Sequence, residues 1–316
     1  MADRIFNKVY LFAAAAAAVY IAIIFLAGAG TTISQFYLIK PEFIPLIIVS
    51  QLTVLALRTV RNRYLLGSIG ISIAFWRHIL IYLSALAVVV ITPGGTGEVV
   101  RSQFIKKESG APIPTTAPLY FVERFLDIIT VLAVMLSFLV FFPLREGFVL
   151  SGIIAGISVL FYVLARNRRV FEEFESFFGR FKLVKKYTSG FGEMHHSFSK
   201  FLSFRVAGKG WLMSMPIWLM EAVTVYLAFL ALGVDFDFMH ASVVYFTSLA
   251  AGVLSFIPGG LVVTEGSMIG LLRAEGLALS TAVALALLVR MSTLWFTTIV
   301  GIISARILIS SYTEEA

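Results

Sequence analysis

The chain has 316 residues, 59% of them apolar and only 14% charged, with a mean hydropathy of +0.94. Soluble domains carry about 25% charged residues, so this composition excludes an ordinary soluble domain and reads as an all-α integral membrane protein. The absence of cysteine excludes disulfides, thiolate metal sites and thiol nucleophiles, and the net charge of +7 has to be judged by where the charges fall.

The first apolar run, about 9–30, follows Arg4 and Lys8. It exceeds the roughly 7–15 apolar residues of a cleavable signal core and reads as a retained first span. Its "AAAAAA" (13–18) suits close helix packing. A second span covers 42–60, and Arg58, Arg61, Arg63 and Arg77 form a basic cluster around its end. The next apolar run, 77–92, is short and leads into "ITPGGTGEVVRSQF", which supplies Pro93, Gly94, Gly95, Gly97, Glu98 and Arg101. Spans follow at 116–142, carrying Glu123, Arg124 and Asp127, and at 147–166, whose "GIIAG" (152–156) reads as an internal packing surface rather than a dimer contact.

Residues 166–209 form the one sizeable polar stretch, with phenylalanines at helical spacing among ten lysines and arginines. This pattern suits amphipathic helices on an anionic cytoplasmic leaflet better than a nucleic-acid platform. His195 and His196 are adjacent, not four apart, so no metal set is expected there. A span at 211–232 carries Glu221, which is either a proton-coupling site or an ordinary interhelical hydrogen bond. The run 240–257 leads into Pro258, Gly259 and Gly260, with Glu265 behind them, and the last span, 279–309, contains Arg290.

A hydropathy count gives eight helices, but eight full crossings put the two basic clusters on opposite sides of the membrane, against the positive-inside rule. The conflict disappears if 77–108 is a re-entrant hairpin entering from the cytoplasm and 240–277 a second one entering from outside. There are then six full spans, both termini are cytoplasmic, and Arg101, Lys106 and Lys107 emerge on the basic side. Of 25 lysines and arginines, 20 lie inside and 3 outside (Lys40, Arg145 and Arg273), while Arg124 and Arg290 sit within spans.

This topology divides the chain into an inverted repeat, about 1–143 and 147–316. Each half has two spans, a Pro-Gly-Gly hairpin and a final span with an arginine. Proline to arginine is 31 residues in one half and 32 in the other. Inverted repeats with broken helices at the midplane are a construction of secondary transporters. Irregular backbone at that depth must be covered by protein or line a wet cavity, and the return limbs 96–108 and 261–275 would start as half-helices suited to an anion. Arg124 lies roughly 13 Å into its span at 1.5 Å per residue. An intramembrane arginine costs at least ~2.5 kcal/mol, so it needs a partner, and Glu98 and Glu265 are the natural ones. Glu123 and Asp127 share a helix face, whereas adjacent Glu123 and Arg124 point apart.

"PGGTGEVVRSQFIKK" with "FVERFLDII", then "SFIPGGLVVTEGSMIGLL" with "LLVRMSTLWF", resembles the transmembrane region of lysylphosphatidylglycerol synthetases, a flippase-like family with many stand-alone prokaryotic members. The resemblance spans nearly the whole chain. Its pattern falls on Pro93, Gly94, Gly95, Gly97, Glu98, Arg101, Glu123, Arg124, Asp127, Pro258, Gly259, Gly260, Glu265, Gly266 and Arg290. It departs at Val262, where the family carries glycine, so the second turn is expected to be stiffer. Seven residues follow the last span, so no aminoacyl-transfer domain is expected there and the chain is not expected to make lysylphosphatidylglycerol.

Together these readings imply a non-enzymatic transporter of the cell membrane. It would move a phospholipid or lipid-linked headgroup between leaflets, with anionic headgroups as ligands, no cofactor, no nucleic acid and a homodimer as one possible assembly. A secondary transporter of a small anion, or a membrane scaffold for a lipid-modifying or glycosyl-transfer enzyme, would use the same sequence features.

Overall fold

The computed structural model describes residues 2–169, 172–173 and 190–314, and every regular element among them is helical. The predicted first span is divided. Helices α1 (Ala2–Leu26) and α2 (Ala29–Tyr37) meet at Gly28, whose φ of +93° only glycine adopts freely. Helix α3 (Phe43–Ser68) is 26 residues long, so Arg58 and Arg61 lie inside it and not beyond its end.

The first hairpin has limbs α4 (Phe75–Leu86) and α5 (Arg101–Ser109), joined by a turn and a 3-10 helix, Pro93–Val100. Pro93 therefore begins a 3-10 helix directly after the turn at 87–92. The half-helix expected from residue 96 is a 3-10 helix running straight into α5. A short α6 (Ile113–Thr116) precedes α7 (Pro118–Leu139), which has proline in its first turn, where no amide partner is lost. Then come α8 (Arg145–Arg166), α9 (Phe191–Phe201) and α10 (Phe204–Ala231).

The second hairpin has limbs α11 (Phe238–Leu254) and α12 (Val263–Ala274), with Pro258–Gly260 in a 3-10 turn between them. Asp237 caps α11, its Oδ1 accepting from the amides of Met239 and His240. The last span is α13 (Leu279–Arg290), a π-helical turn Met291–Trp295 and α14 (Phe296–Glu314).

Among the described residues, five helical stretches are long and apolar enough to cross a bilayer: Asn7–Leu26, Phe43–Ser68, Arg145–Arg166, Phe204–Ala231 and Leu279–Thr313. Helix α7 has the length, 22 residues, but carries Glu123, Arg124 and Asp127. The hairpin limbs are shorter, 12 and 9 residues in the first and 17 and 12 in the second, and fold back on each other.

The halves pack reciprocally. Counterpart helices α3 and α10 lie side by side and antiparallel, with Ser50 beside Thr224 and Arg61 beside Ser214. Limb α4 packs on α14 of the other half, and limb α11 packs on α7. Helix α8 flanks α7, while α1 and α2 flank α13. The contact between α4 and α14 is so close that a methyl group on Gly301 would sit 2.4 Å from the amide nitrogen of Ala87. The two turns also meet: the equivalent methyl on Gly259 would lie 3.4 Å from the Val90 carbonyl.

Three packing expectations change. Of the alanine run 13–18, only Ala16 is buried, so α1 offers one contact line and not a broad face. Gly152 and Gly156 are exposed with nothing near them, so the GxxxG of α8 does not pack inside the chain. In the basic stretch, α9 turns Phe198 and Phe201 into the protein core beside Leu119 and Phe125, and does not spread them on a leaflet. The rest of that amphipathic prediction, 170–171 and 174–189, lies outside the described residues.

Candidate functional site

The core divides into two main apolar clusters, one around Val54, Ile217 and Phe246 and the other around Leu65, Leu126 and Phe201. Charged side chains fill the junction between them. Four arginines (Arg58, Arg61, Arg101 and Arg124) face four carboxylates (Glu98, Glu123, Asp127 and Glu221). The formal charges balance, as they must when ions are removed from water.

Asp127 on α7 is the hub. It accepts from Arg61 Nη1 and from the Trp218 indole at 3.0 Å, with Arg124 Nη2 at 3.0 Å and Arg58 Nη1 at 3.4 Å. Glu123, one turn earlier on the same face, accepts from Arg101 Nη2 and from Asn62 Nδ2 at 3.0 Å. Arg124, which the sequence places off the Glu123 face, folds its guanidinium back into the same knot, with Nη2 3.0 Å from Asp127 and 3.7 Å from Glu98 Oε1. Glu98 also pairs with Arg101 at 3.5 Å, one turn along the return limb. Hairpin, α3, α7 and α10 are thereby joined through one polar knot.

Arg61, Arg101 and Glu123 are at most 1% exposed, but the Arg124 side chain is 30% exposed, which makes it the most accessible cation of the group. Three of the knot's N–H positions (Arg61 Nε, Arg61 Nη2 and Arg124 Nε) have no hydrogen-bond partner, although both guanidinium groups are ion-paired through other atoms. The knot therefore holds more donors than its carboxylates use.

Arg58 connects this knot to the second half. Its guanidinium stacks on Trp218 at 4.9 Å and reaches Glu221 Oε2 at 3.9 Å, and Glu221 accepts from the Tyr245 hydroxyl of α11 at 3.2 Å. Of the two readings of Glu221, the interhelical hydrogen bond is present, to an aromatic hydroxyl.

The second half carries a smaller site. Arg290 Nε donates to Glu265 Oε1 at 2.7 Å, and its Nη2 donates to the Gly259 carbonyl in the turn. The Tyr20 hydroxyl of α1 donates to the same Glu265 oxygen at 2.7 Å and accepts from the Trp295 indole at 3.2 Å. The π-helical turn after Arg290 inserts an extra residue into the helical repeat and presents Trp295 to Tyr20. Glu265 Oε2 is buried without a partner. This pair is sealed, with side chains 5% and 0% exposed.

The structure thus joins Glu98 to Arg124 and Glu265 to Arg290, and places Glu123, Asp127 and Glu221 in contact with the same network. It corrects Arg101, which is buried against Glu98 and Glu123 and does not emerge on the basic side. Arg58 and Arg61, assigned from sequence to a cytoplasmic cluster, are core residues of the site. Tyr20, Trp218, Tyr245 and Trp295 had no signal of their own, because an aromatic in an apolar span fits lipid or protein equally well. Gly97 is tied to the turn: its amide donates to Thr92 Oγ1 at 2.9 Å, and a methyl on it would lie 2.9 Å from the Val88 carbonyl.

A polytopic helical membrane protein with two helical hairpins and ionic pairs behind their turns is the class that this geometry defines. The family model for the lysylphosphatidylglycerol synthase TM region matches residues 12–301, and the chain belongs to that family. It is similar to a UPF0104 membrane protein of Methanothermobacter thermautotrophicus, 25% identical over 314 residues, covering 94% of this chain and 92% of that one. It is likewise similar to UPF0104 membrane proteins of Pyrococcus horikoshii (26%; 93% and 95% covered) and Methanocaldococcus jannaschii (26%; 85% of each).

Proposed function

We propose that this protein moves a phospholipid or lipid-linked headgroup between the leaflets of the cell membrane, with an anionic headgroup taken by the knot beneath the first hairpin. The surplus of arginine donors around the partly exposed Arg124 carries this reading. A phosphate supplies acceptor oxygens for which the knot's own carboxylates leave N–H groups over, and charge-assisted bonds to it are the strong ones. Pro93, Gly94, Gly95 and Gly97 shape the first turn over Glu98, Arg101, Glu123, Arg124 and Asp127. Pro258, Gly259 and Gly260 shape the second turn over Glu265 and Arg290. The acyl tails stay in lipid, and the two halves rock about the α3–α10 seam to alternate access. Glu221, bridged to both halves through Arg58 and Tyr245, is the candidate coupling carboxyl. Both termini face the cytoplasm, the exposed glycines of α8 leave a face for a second copy, and no bond-making chemistry is assigned to the chain.

Reconstitution in liposomes tests this. Fluorescent phospholipids with anionic, zwitterionic and cationic headgroups are exposed to a membrane-impermeant quencher, and leaflet exchange is timed. The expected result is exchange above that of empty vesicles, fastest for an anionic headgroup and slowed about tenfold or more in Arg124→Gln, from a lost bond to a charged group worth roughly 1.5–3 kcal/mol. Wild-type rates equal to empty liposomes for every headgroup would refute it. Transport of free phosphate or sulfate without lipid exchange would replace it with the small-anion transporter.

A further inference from the structure

Each hairpin is held shut at its base, and the two fastenings match. The third residue of the first limb is a base in both: Arg77 in α4 and His240 in α11. Each faces a glutamate at the end of the return limb. Arg77 Nε lies 3.9 Å from Glu108, and His240 Nε2 lies 3.4 Å from Glu275, the residue after α12. Each base also meets an aromatic ring in or just beyond the final span of the opposite half. Arg77 lies over Tyr312 of α14 at 5.3 Å and donates to Ser311, while Lys107 from the return limb sits 3.5 Å above the same ring. His240 is stacked with Phe142, just beyond α7, at 5.0 Å and with Phe236 at 4.2 Å. Both rings are nearly parallel to the imidazole.

The fastenings differ in one chemical respect. Arginine keeps its charge at any physiological pH, whereas histidine is the side chain whose charge changes between about pH 5 and 8. The charged groups on the elements around His240 are Glu275 and Arg273 on α12, Asp235 and Asp237 before α11, and Arg145 and Glu146 at the start of α8. Among the described residues Glu275 alone lies within ion-pair distance of the ring. Asp237 is committed to the amides of Met239 and His240, and Arg273 donates to the Leu277 carbonyl. The pair is reached by water, with side chains 20% and 41% exposed. A cavity of about 220 Å³ beside it, lined by Pro143, Leu144, Val243 and Leu271, gives the ring room to leave.

We propose that His240 and Glu275 form a proton-operated latch on the second hairpin, closed when the imidazole is charged and released when it is neutral, while Arg77 and Glu108 form its pH-independent counterpart on the first. Phe142 and Tyr312 couple each latch to the span of the opposite half, so opening one base loosens the seam that the other half moves along. As a control on access to the site the latch rests on the transporter reading, but it is tested without transport.

Spin labels at Met239→Cys and Ala274→Cys in the cysteine-free chain, reconstituted in phosphatidylcholine liposomes, report limb separation by pulsed EPR. The longer-distance population should rise about two- to fivefold between pH 5 and 8, the range set by the worth of a partly exposed ion pair. His240→Lys should hold the short distance at both pH values, and His240→Gln or Glu275→Gln the longer one at both. Labels at Trp76→Cys and Lys106→Cys should show no pH response until Arg77→His confers one on the first hairpin. A wild-type distance unchanged between pH 5 and 8, or a change that survives in both His240→Gln and Glu275→Gln, would overturn the latch whether or not lipid exchange is found.

Discussion

Arg61 has no exposed surface, and two of its three guanidinium nitrogens make no hydrogen bond, so its value lies in the carboxylates it neutralises. Replacing it alone leaves the buried carboxylates of Asp127 and Glu123 short of a cation. Arg61→Met should therefore cost about 3–5 kcal/mol, read as a lower apparent Tm in detergent. The double variant Arg61→Met with Asp127→Leu removes both charges and should recover much of that loss, because a buried pair is often no better than apolar residues of its size. Glu221→Gln is the milder case. The amide oxygen still accepts from Tyr245, and Arg58 loses a 3.9 Å pair but keeps Asp127, so stability should fall by about 1–2 kcal/mol. If Glu221 is the coupling group, the pH dependence of lipid exchange should flatten in that variant, and an unchanged pH profile would remove it from the mechanism. Arg124, Arg290 and their glutamates were legible in the sequence because a charge inside an apolar run has few solutions in a bilayer. Arg58 and Arg61 were not, because they fall where a 20-residue span would end, and only the full 26-residue helix carries them inward.

At the level of elements, the two turns solve one problem with different residues. Gly97 holds its place because the chain passes within contact distance of the Val88 carbonyl, so Gly97→Ala should cost about 1–3 kcal/mol through overpacking. At the corresponding place in the second turn Val262 adopts φ +70°, a conformation that a β-branched residue resists. Its side chain is half exposed and packs little, so Val262→Gly removes strain at small packing cost. The glycine raises the entropy of the unfolded chain, which returns part of the gain, and a net stabilisation of about 1 kcal/mol is expected in thermal melts. A lower Tm would mean that the valine packs better than its exposure indicates. The stiffness expected from sequence at this position thus appears as a strained cap on α12. The two hairpins were legible because the recurring Pro-Gly-Gly breaks two short apolar runs. The point where helix resumes was not, since 3-10 and α-helix share one residue preference and differ in which carbonyl each amide finds.

For the whole molecule, the packing argues for opposite orientation of the halves independently of charge counting. Helices α3 and α10 are counterparts and lie antiparallel, and each hairpin rests on the final span of the other half. A pair of halves related by a two-fold axis in the membrane plane has these properties, and then the base of one hairpin must face the opposite side from the base of the other. Burial of Arg58, Arg61 and Arg101 lowers the number of lysines and arginines expected on the cytoplasmic side from 20 to 17, against the same 3 expected outside. In the cysteine-free chain, Lys106→Cys lies on an exposed position at the base of the first hairpin and Ala278→Cys on one just past the second. In intact cells a membrane-impermeant maleimide should modify position 278 and spare 106. In inside-out vesicles the pattern should reverse. Both positions reacting from one side would show that the hairpins enter from the same face. The two turns would then meet without a change of sidedness, and rocking one half against the other could not alternate access to the ion pairs behind them.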